Sequence, residues 1–525
     1  MNNLIHYLPV LFVVCLFVKK PYFSWLWLVN CLLLVATVVA KHADGLEQLI
    51  LLNYTAVAPH SYFQLAFLVA LFFSSLISFK QLNKLAALAA YFVAYYALEL
   101  LNTSTWTEFI LHFELVAIFS ALLIFSRNTY AAQKAAFSYI LLQVLAASCL
   151  IAGSLIVHDN TLLHFKWGYD LPSYLILLGF LIQAAVFPFH FWFLNSQEKS
   201  CTTSNLLSHI SLPLLSSFAL LQLFSGYPYL IYIGIVSSLY AAVYLTLQNS
   251  LQAILSYLTL VLLGLIVCSI GLGTAFSTQA ALFLILTACF SYLGYCAIIK
   301  NQNSDENSTC LFELQNKQQK LSSLNSILWI VFSIVVIGVP FIGYASMAMS
   351  WFHHGLTTEK TFTWLNYALV FTSVASLYAL VLKPVHLFKF KELLKKWPLS
   401  RYTECLFAVL LLSLSIHTSV NAPQDYRAIF SGYALHHITV LLGALPLFFG
   451  FKKVLTYYSK QSPIDIFTKL KIPTITKDST KTRRLFYPPK IPTPQVKLFY
   501  FESIENSMTY VLVVFIICVV MFLWF

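Results

Sequence analysis

Long apolar runs separated by short polar breaks fill this chain from end to end. A helix needs about 20 mostly apolar residues to cross a bilayer. On that measure the candidate spans are 4–19, 22–40, 61–79, 85–101, 105–126, 136–157, 173–193, 204–225, 228–247, 251–273, 278–299, 326–352, 363–382, 401–420, 432–451 and 507–525. The first span has no basic stretch before its apolar run and ends in Lys19-Lys20, so it is expected to be retained rather than cleaved. Two segments interrupt the pattern. Residues 301–325 form a polar connector, and 452–506 are rich in Lys, Arg and Pro, as in KDSTKTRRLFYPPKIPTPQ. The second is too proline-punctuated for one helix and is expected to lie along the membrane surface. The fold class that follows is all-α, a polytopic transmembrane helix bundle of about 14–16 spans. The expected organisation is N-terminal helices over 1–100, a core over 101–350, C-terminal helices over 351–451, the basic segment 452–506 and a final span over 507–525.

Composition sharpens that reading. The chain of 525 residues is 59% hydrophobic and only 10% charged, with a mean hydropathy of +0.79. A soluble domain carries roughly 25% charged residues, so too few remain here to cover a water-facing surface of this size, and lipid must be the main solvent. The net charge of +12 sits in loops and in the late basic segment. It therefore points to topology and anionic lipid rather than to nucleic acid. Lys19 and Lys20, Lys80 and Lys84, Arg127 and Lys134, then Lys300, Lys317 and Lys320, and finally Lys389, Lys391, Lys395, Lys396 and Arg401 mark alternate loops. By the positive-inside rule these loops are cytoplasmic and the N-terminus is outside. Most of the ten cysteines, among them Cys149, Cys268, Cys289 and Cys296, lie within apolar runs and form no Cys-x-x-Cys pair, so they read as small buried hydrophobes.

Five motifs stand out against the apolar background. Glu114, in TSTWTEFILHFELVAIFSALLIF, falls near the middle of its span. A carboxylate there costs several kcal/mol unless it is paired or protonated, so Glu114 is either a proton-exchanging group or a protonated structural donor between helices. His112 lies four residues from Glu108, a spacing that allows the two to pair. In LLGFLIQAAVFPFHFWFLNSQEKS, Pro188 interrupts a span, with His190 and Trp192 expected at the membrane boundary. The proline gives either an ordinary kink or a broken helix of the kind found where ions cross. His209 and Pro213 share one span, and the histidine is a proton-relay candidate or a satisfied interhelical partner. The cluster Gln248, Asn249, Ser250 and Gln252 separates two apolar runs, as a short loop or as a break within the membrane. GVPFIGY at 338–344 is a second Gly/Pro interruption, and Lys383-Pro384 closes span 363–382, where a lysine can snorkel. No nucleotide loop, zinc motif or nucleophile elbow is present. No cofactor or metal is therefore assigned, and the chain is expected to be a transporter subunit rather than an enzyme.

Taken in order, these motifs resemble the antiporter-like membrane subunits shared by complex I and the Mrp-type cation/proton antiporters. HFELVAIFSALLIF resembles the helix bearing the family glutamate, which falls on Glu114. AAFSYILLQVLAASCLIAGSLIV is similar to the next family helix. GFLIQAAVFPFHFWFLN resembles the signature Lys-Ala-Gly-x-x-Pro-x-His-x-Trp-Leu-Pro-Asp. LQNSLQAILSYLTLVLLGLIVCSIGLG resembles Gln-x-Asp-Leu-Lys-Arg-x-Leu-Ala-Tyr-x-Thr, and GVPFIGY is similar to Gly-Ile-Pro-Pro-Leu-x-Gly-Phe. The likeness runs from about residue 100 to 350. VLKPVHLFKFKE and SPIDIFTKLK resemble the tail of the D-type Mrp antiporter proteins.

The resemblance implies a fold with two discontinuous helices and a chain of titratable groups along the membrane, modulated by a Glu–Lys pair. This sequence departs from that pattern. The family lysine before the proline is Gln183, the next falls on Pro213 beside His209, and the Asp-Leu-Lys lysine falls on Gln252. The His-and-Lys pair falls near Ala288 and Tyr292, and the lysine after Gly-x-Pro near Ala348. The expected function is a membrane subunit of a monovalent cation (Na⁺)/proton antiporter with a degenerate proton path in a bacterial inner membrane. The alternatives are a complex I-like or inorganic-carbon-uptake subunit, or a transport-inactive structural subunit. Glu114, His209, Gln183 and Lys383 are the path candidates. Other small hydrophobic membrane subunits and the lipid bilayer are the expected partners, and nucleic acid is not.

Overall fold

A computed structural model describes Val29 and residues 84–126, 129–157, 161–162, 165–199, 202–302, 321, 323–337, 368–369, 371–384 and 387–388. The chain divides into two units, Met1–Pro463 and Ile464–Phe525, and every described residue lies in the first. The expected second break at 338–344, the spans expected over 401–420 and 432–451, the basic segment 452–506, the final span and, apart from Val29, the early spans before residue 84 lie outside the described residues.

Within these residues the chain is helical. The elements are α1 (Lys84–Leu100), α2 (Trp106–Phe125), α3 (Tyr130–Ile156), α4 (Leu171–Gln183), α5 (Phe191–Lys199), α6 (Thr202–Leu223), α7 (Tyr229–Leu247), α8 (Leu251–Leu272), α9 (Ala275–Gln302) and α10 (Ser323–Ile337), with a π-helical turn, π1 (Tyr378–Leu382). Local chemistry sets several limits. Thr105 and Thr129 cap α2 and α3 by accepting from Glu108 N and Ala132 N, which satisfies amides that have no partner within the helix. Ser250 accepts from Ala253 N at 3.0 Å and starts α8. The Gln248–Ser250 cluster is therefore a short turn between α7 and α8, and not a break within one helix. Gly273 ends α8 with φ +63°, the left-handed position that favours glycine.

Four of these helices (Trp106–Phe125, Ala132–Ile156, Tyr229–Leu247 and Leu251–Leu272) are long and apolar enough to cross a membrane. Three of them keep one face exposed. Leu111 and Ile118 stand out on α2, Ile140, Val144, Ile151 and Leu155 on α3, and Tyr232, Val236 and Val243 on α7. Their spacing of four and seven residues makes single stripes. By contrast α8 is buried along its spanning stretch and packs on α7, α9, α5 and α6. Its closest approach is to α7. A Cβ on Gly264 would stand 2.6 Å from Ser238 N and 2.9 Å from Gly234 O, and one on Gly271 would stand 2.7 Å from Ile231 N. Small residues let two backbones meet in this way, and in lipid such packing replaces the hydrophobic effect as the force between helices.

Candidate functional site

The span expected over 173–193 is two helices. α4 stops at Gln183, five residues before Pro188, and α5 resumes at Phe191. Ala184 closes the helix, and Ala185 turns with φ 54°. The Phe187–Pro188 peptide is cis. Proline supplies no N–H and also restricts the residue before it, so the non-helical stretch extends ahead of the proline rather than kinking at it.

Backbone freed inside a membrane must find partners within the protein. The Ile182 carbonyl accepts from the Trp192 indole at 2.9 Å and from Ala185 N at 3.2 Å. Phe187 N–H donates to the hydroxyl of Ser237, on α7, at 3.2 Å. Phe189 N–H returns to Val186 O at 2.7 Å. Trp192 and His190, expected at a membrane boundary, are both 1% exposed. They are buried because the indole closes the break and the imidazole packs on Phe187 and Tyr240. Sequence reasoning missed Ser237 altogether, since a serine in an apolar helix carries no pattern of its own.

Glu114 sits in the middle of α2, and its Oε1 is buried with no hydrogen-bond partner among the described residues. The helices carrying Glu114 and Gln183 touch through Phe109 and Phe113 against Phe180. Between Glu114 and the break stands Tyr139 of α3. Its hydroxyl is within electrostatic reach of Glu114 and approaches Ser120 without reaching hydrogen-bond geometry. Its ring meets Trp192 edge-on at 5.0 Å. Ser120 in turn shares a 3.1 Å hydrogen bond with Ser211 of α6. Gln183 is 0% exposed and Gln143 of α3 is 1% exposed, and neither amide has a hydrogen-bond partner among the described residues. Tyr139, Gln143, Ser120 and Ser211 were not among the expected site residues. The one available signal was Gln143, an amide in the interior of an apolar run.

The remaining candidates separate from this group. His209 lies on α6, which runs unbroken through Pro213, but its side chain falls outside the described residues. The hydroxyls of Ser216 and Ser217 bind back to Leu212 O and Pro213 O at 2.6 and 2.7 Å. His112 stacks on Tyr96 at 5.9 Å, and its Nδ1 has no partner among the described residues, so the spacing to Glu108 does not decide its packing. Lys383 follows π1 and turns inward instead of snorkelling. Its ammonium donates to Thr246 O at 3.0 Å and to Gln248 O, carbonyls at the C-terminal end of α7 where a cation is favoured. The Leu380 carbonyl in π1 accepts from the Trp329 indole at 2.8 Å, as Ile182 does from Trp192. Both irregular segments thus have a carbonyl bound by an indole, from the following half of the same span in one case and from α10 in the other.

A broken apolar span lined by buried polar groups, in a bundle of helices long and apolar enough to cross a membrane, defines a helical membrane protein. Residues 103–377 match the family described as NADH:quinone oxidoreductase/Mrp antiporter, transmembrane. This chain belongs to that family. It is 31% identical over 157 residues to the chloroplastic NAD(P)H-quinone oxidoreductase subunit 5 of Piper cenocladum, covering 28% of this chain and 20% of the relative. It is 26% identical over 234 residues to the putative antiporter subunit mnhA2 of Staphylococcus saprophyticus, covering 39% of this chain and 29% of the relative. The chain thus matches less than a third of the length of either relative. Its fold is similar to a chain of respiratory complex I from Thermus thermophilus, with a TM-score of 0.64 at 20% identity over 79% of this chain and 96% of that one. It is also similar to a chain of the Mrp complex from Dietzia sp. DQ12-45-1b, with a TM-score of 0.61 at 16% identity over 81% of this chain and 51% of that one. These likenesses establish the antiporter-type, all-helical membrane fold that the sequence motifs implied.

Proposed function

We propose that this chain is a membrane subunit of a multisubunit monovalent cation (Na⁺)/proton antiporter, with a proton path that has lost most of its lysines. The observation that carries the reading is the placement of Glu114. It lies mid-span, with an oxygen that is buried and unpartnered among the described residues, within electrostatic reach of Tyr139, whose ring packs on Trp192 just after the helix break, inside the stretch that matches the family. A buried carboxyl in that setting exchanges its proton at a cost set by its surroundings. Gln183, where the resemblance places a lysine, carries no charge, so any coupling passes through Glu114, hydroxyls and water. His209 and Lys383 remain candidates for the path at greater distance along the chain. Partners are other small hydrophobic membrane subunits, the membrane is a bacterial inner membrane and the N-terminus lies outside. The tail motifs favour the D-type branch of the Mrp proteins.

A second reading is supported by the 31% identity to a quinone oxidoreductase subunit. On that reading the chain is the ion-translocating part of a complex I-like assembly whose redox chemistry belongs to its partners. The test is purification of the tagged chain from its native membrane in mild detergent, with mass spectrometry of what accompanies it. Small hydrophobic subunits of Mrp type, together with Na⁺-driven proton flux after reconstitution of the whole assembly, are expected. Co-purifying redox subunits overturn the antiporter reading in favour of the second.

A further inference from the structure

The packing of α3 against α4 places two glutamines opposite one another. The helices run antiparallel. A Cβ on Gly153 would stand 3.1 Å from Pro172 O, and a Cβ on Gly179 would stand 2.9 Å from Ala146 O. These two contacts fix the register. Going on by one turn from Ala146 towards the start of α3 reaches Gln143, and going on by one turn from Gly179 towards the end of α4 reaches Gln183. Residues three or four apart share a helix face, so both glutamines lie at one level of the same interface, where α4 breaks.

Neither amide meets a partner there among the described residues. The Oε1 and Nε2 of Gln143 and of Gln183 are all buried and unpartnered, and so is the hydroxyl of Tyr139, one turn before Gln143. Trp192 packs on Tyr139 and donates to Ile182, the neighbour of Gln183. The register therefore brings four buried amide atoms to one level of the interface at the break, with the Tyr139 hydroxyl one turn away along α3. Buried polar atoms are almost always satisfied by protein or by ordered water, and a water uses two to four such partners of mixed donor and acceptor character.

We propose that Gln143 and Gln183, with Tyr139, form an uncharged water-binding site that joins α3 to α4 at the helix break. The chemistry selects water over a cation. The group offers at most three oxygens and no negative charge, while the two amide NH₂ groups need acceptors, which a cation cannot provide and a water oxygen can. The site joins two helices through a shared ligand, so loss of either glutamine strands the other.

Two measurements on the full chain purified with its native partners test this. Radiolytic hydroxyl labelling in ¹⁸O water, read by mass spectrometry, marks side chains beside bound water. Tyr139 is expected to be labelled despite its burial, and the label is expected to fall several-fold in the Gln143→Leu/Gln183→Leu double variant. An unlabelled Tyr139 in the wild type overturns the proposal and needs no variant to fold. In thermal unfolding, Gln143→Leu and Gln183→Leu are each expected to lower Tm, and the double variant to fall no further than the worse single. Additive losses overturn the shared site. A Tm that rises with NaCl but not with choline chloride, and loses that response in the double variant, overturns the assignment of water in favour of a cation.

Discussion

Single side chains differ in how far the sequence alone exposed them. Glu114 was legible because a carboxyl in the middle of an apolar run has few inexpensive explanations. Gln143 and Tyr139 were not, because amides and phenols are tolerated in membrane helices at many positions, and only the pairing of α3 with α4 and Trp192 shows what they face. Lys383 was legible as a lysine at a helix end, yet its direction was not. Snorkelling and capping the carbonyls of α7 suit the same sequence, and the fold brings Thr246 O and Gln248 O within reach. Replacing Lys383 by Met keeps the stem and removes the donors. A hydrogen bond to a charged group is worth about 1.5–3 kcal/mol, and Lys383→Met is expected to lose about that much in denaturant unfolding of the detergent-purified protein, with Lys383→Arg losing less. Trp192→Phe likewise keeps the aromatic packing but strands the Ile182 carbonyl beyond its weak bond to Ala185. An unsatisfied buried group costs about 1–3 kcal/mol, so a loss of about 1–2 kcal/mol is expected in the same assay. A neutral Trp192→Phe would show that the indole only fills space.

At the scale of elements, the limits of α1, α2, α7, α8 and α9 fall close to the spans drawn from hydropathy. In lipid a helix must satisfy its own backbone, so its apolar length is nearly its whole description. The break in α4–α5 was signalled by Pro188 but begins at Gln183, because the proline's effect on its neighbours and the carbonyl captured by Trp192 extend the irregular stretch. The α7–α8 contact had no sequence signal beyond scattered glycines, and its backbone approach makes a sharp prediction. Gly264→Ala would place a methyl 2.6 Å from Ser238 N. Backbone cannot yield as a side-chain tip can, and overpacking of this kind costs about 1–3 kcal/mol. Thermal unfolding should show that loss for Gly264→Ala. Gly168→Ala, whose new methyl would meet only the Asp170 side chain at 3.3 Å or beyond, should change stability by no more than about 0.5 kcal/mol.

For the whole molecule, sequence told the solvent but not the centre. In water the polar face of a helix reports which side is exposed. In a bilayer the lipid is as apolar as the core, so α8, buried throughout its span, and α7, with Tyr232, Val236 and Val243 exposed, read alike before folding. What distinguishes them is packing. α8 is enclosed by α7, α9, α5 and α6, and the broken α4–α5 unit rests on this centre through α5 and through the Phe187–Ser237 bond to α7. The resulting arrangement packs Tyr139 on Trp192 at the irregular point and keeps Glu114 within electrostatic reach of Tyr139, which order and spacing along the chain announced only as a family likeness.

The most direct test of this account is proton flux in vesicles holding the assembled complex, compared between the wild type and Glu114→Gln. The substitution keeps the size and hydrogen-bonding capacity of the side chain and removes its ability to exchange a proton. Loss of flux in a variant that still assembles and unfolds at the wild-type temperature is the predicted result, and flux at the wild-type rate would contradict the placement of Glu114 on the proton path.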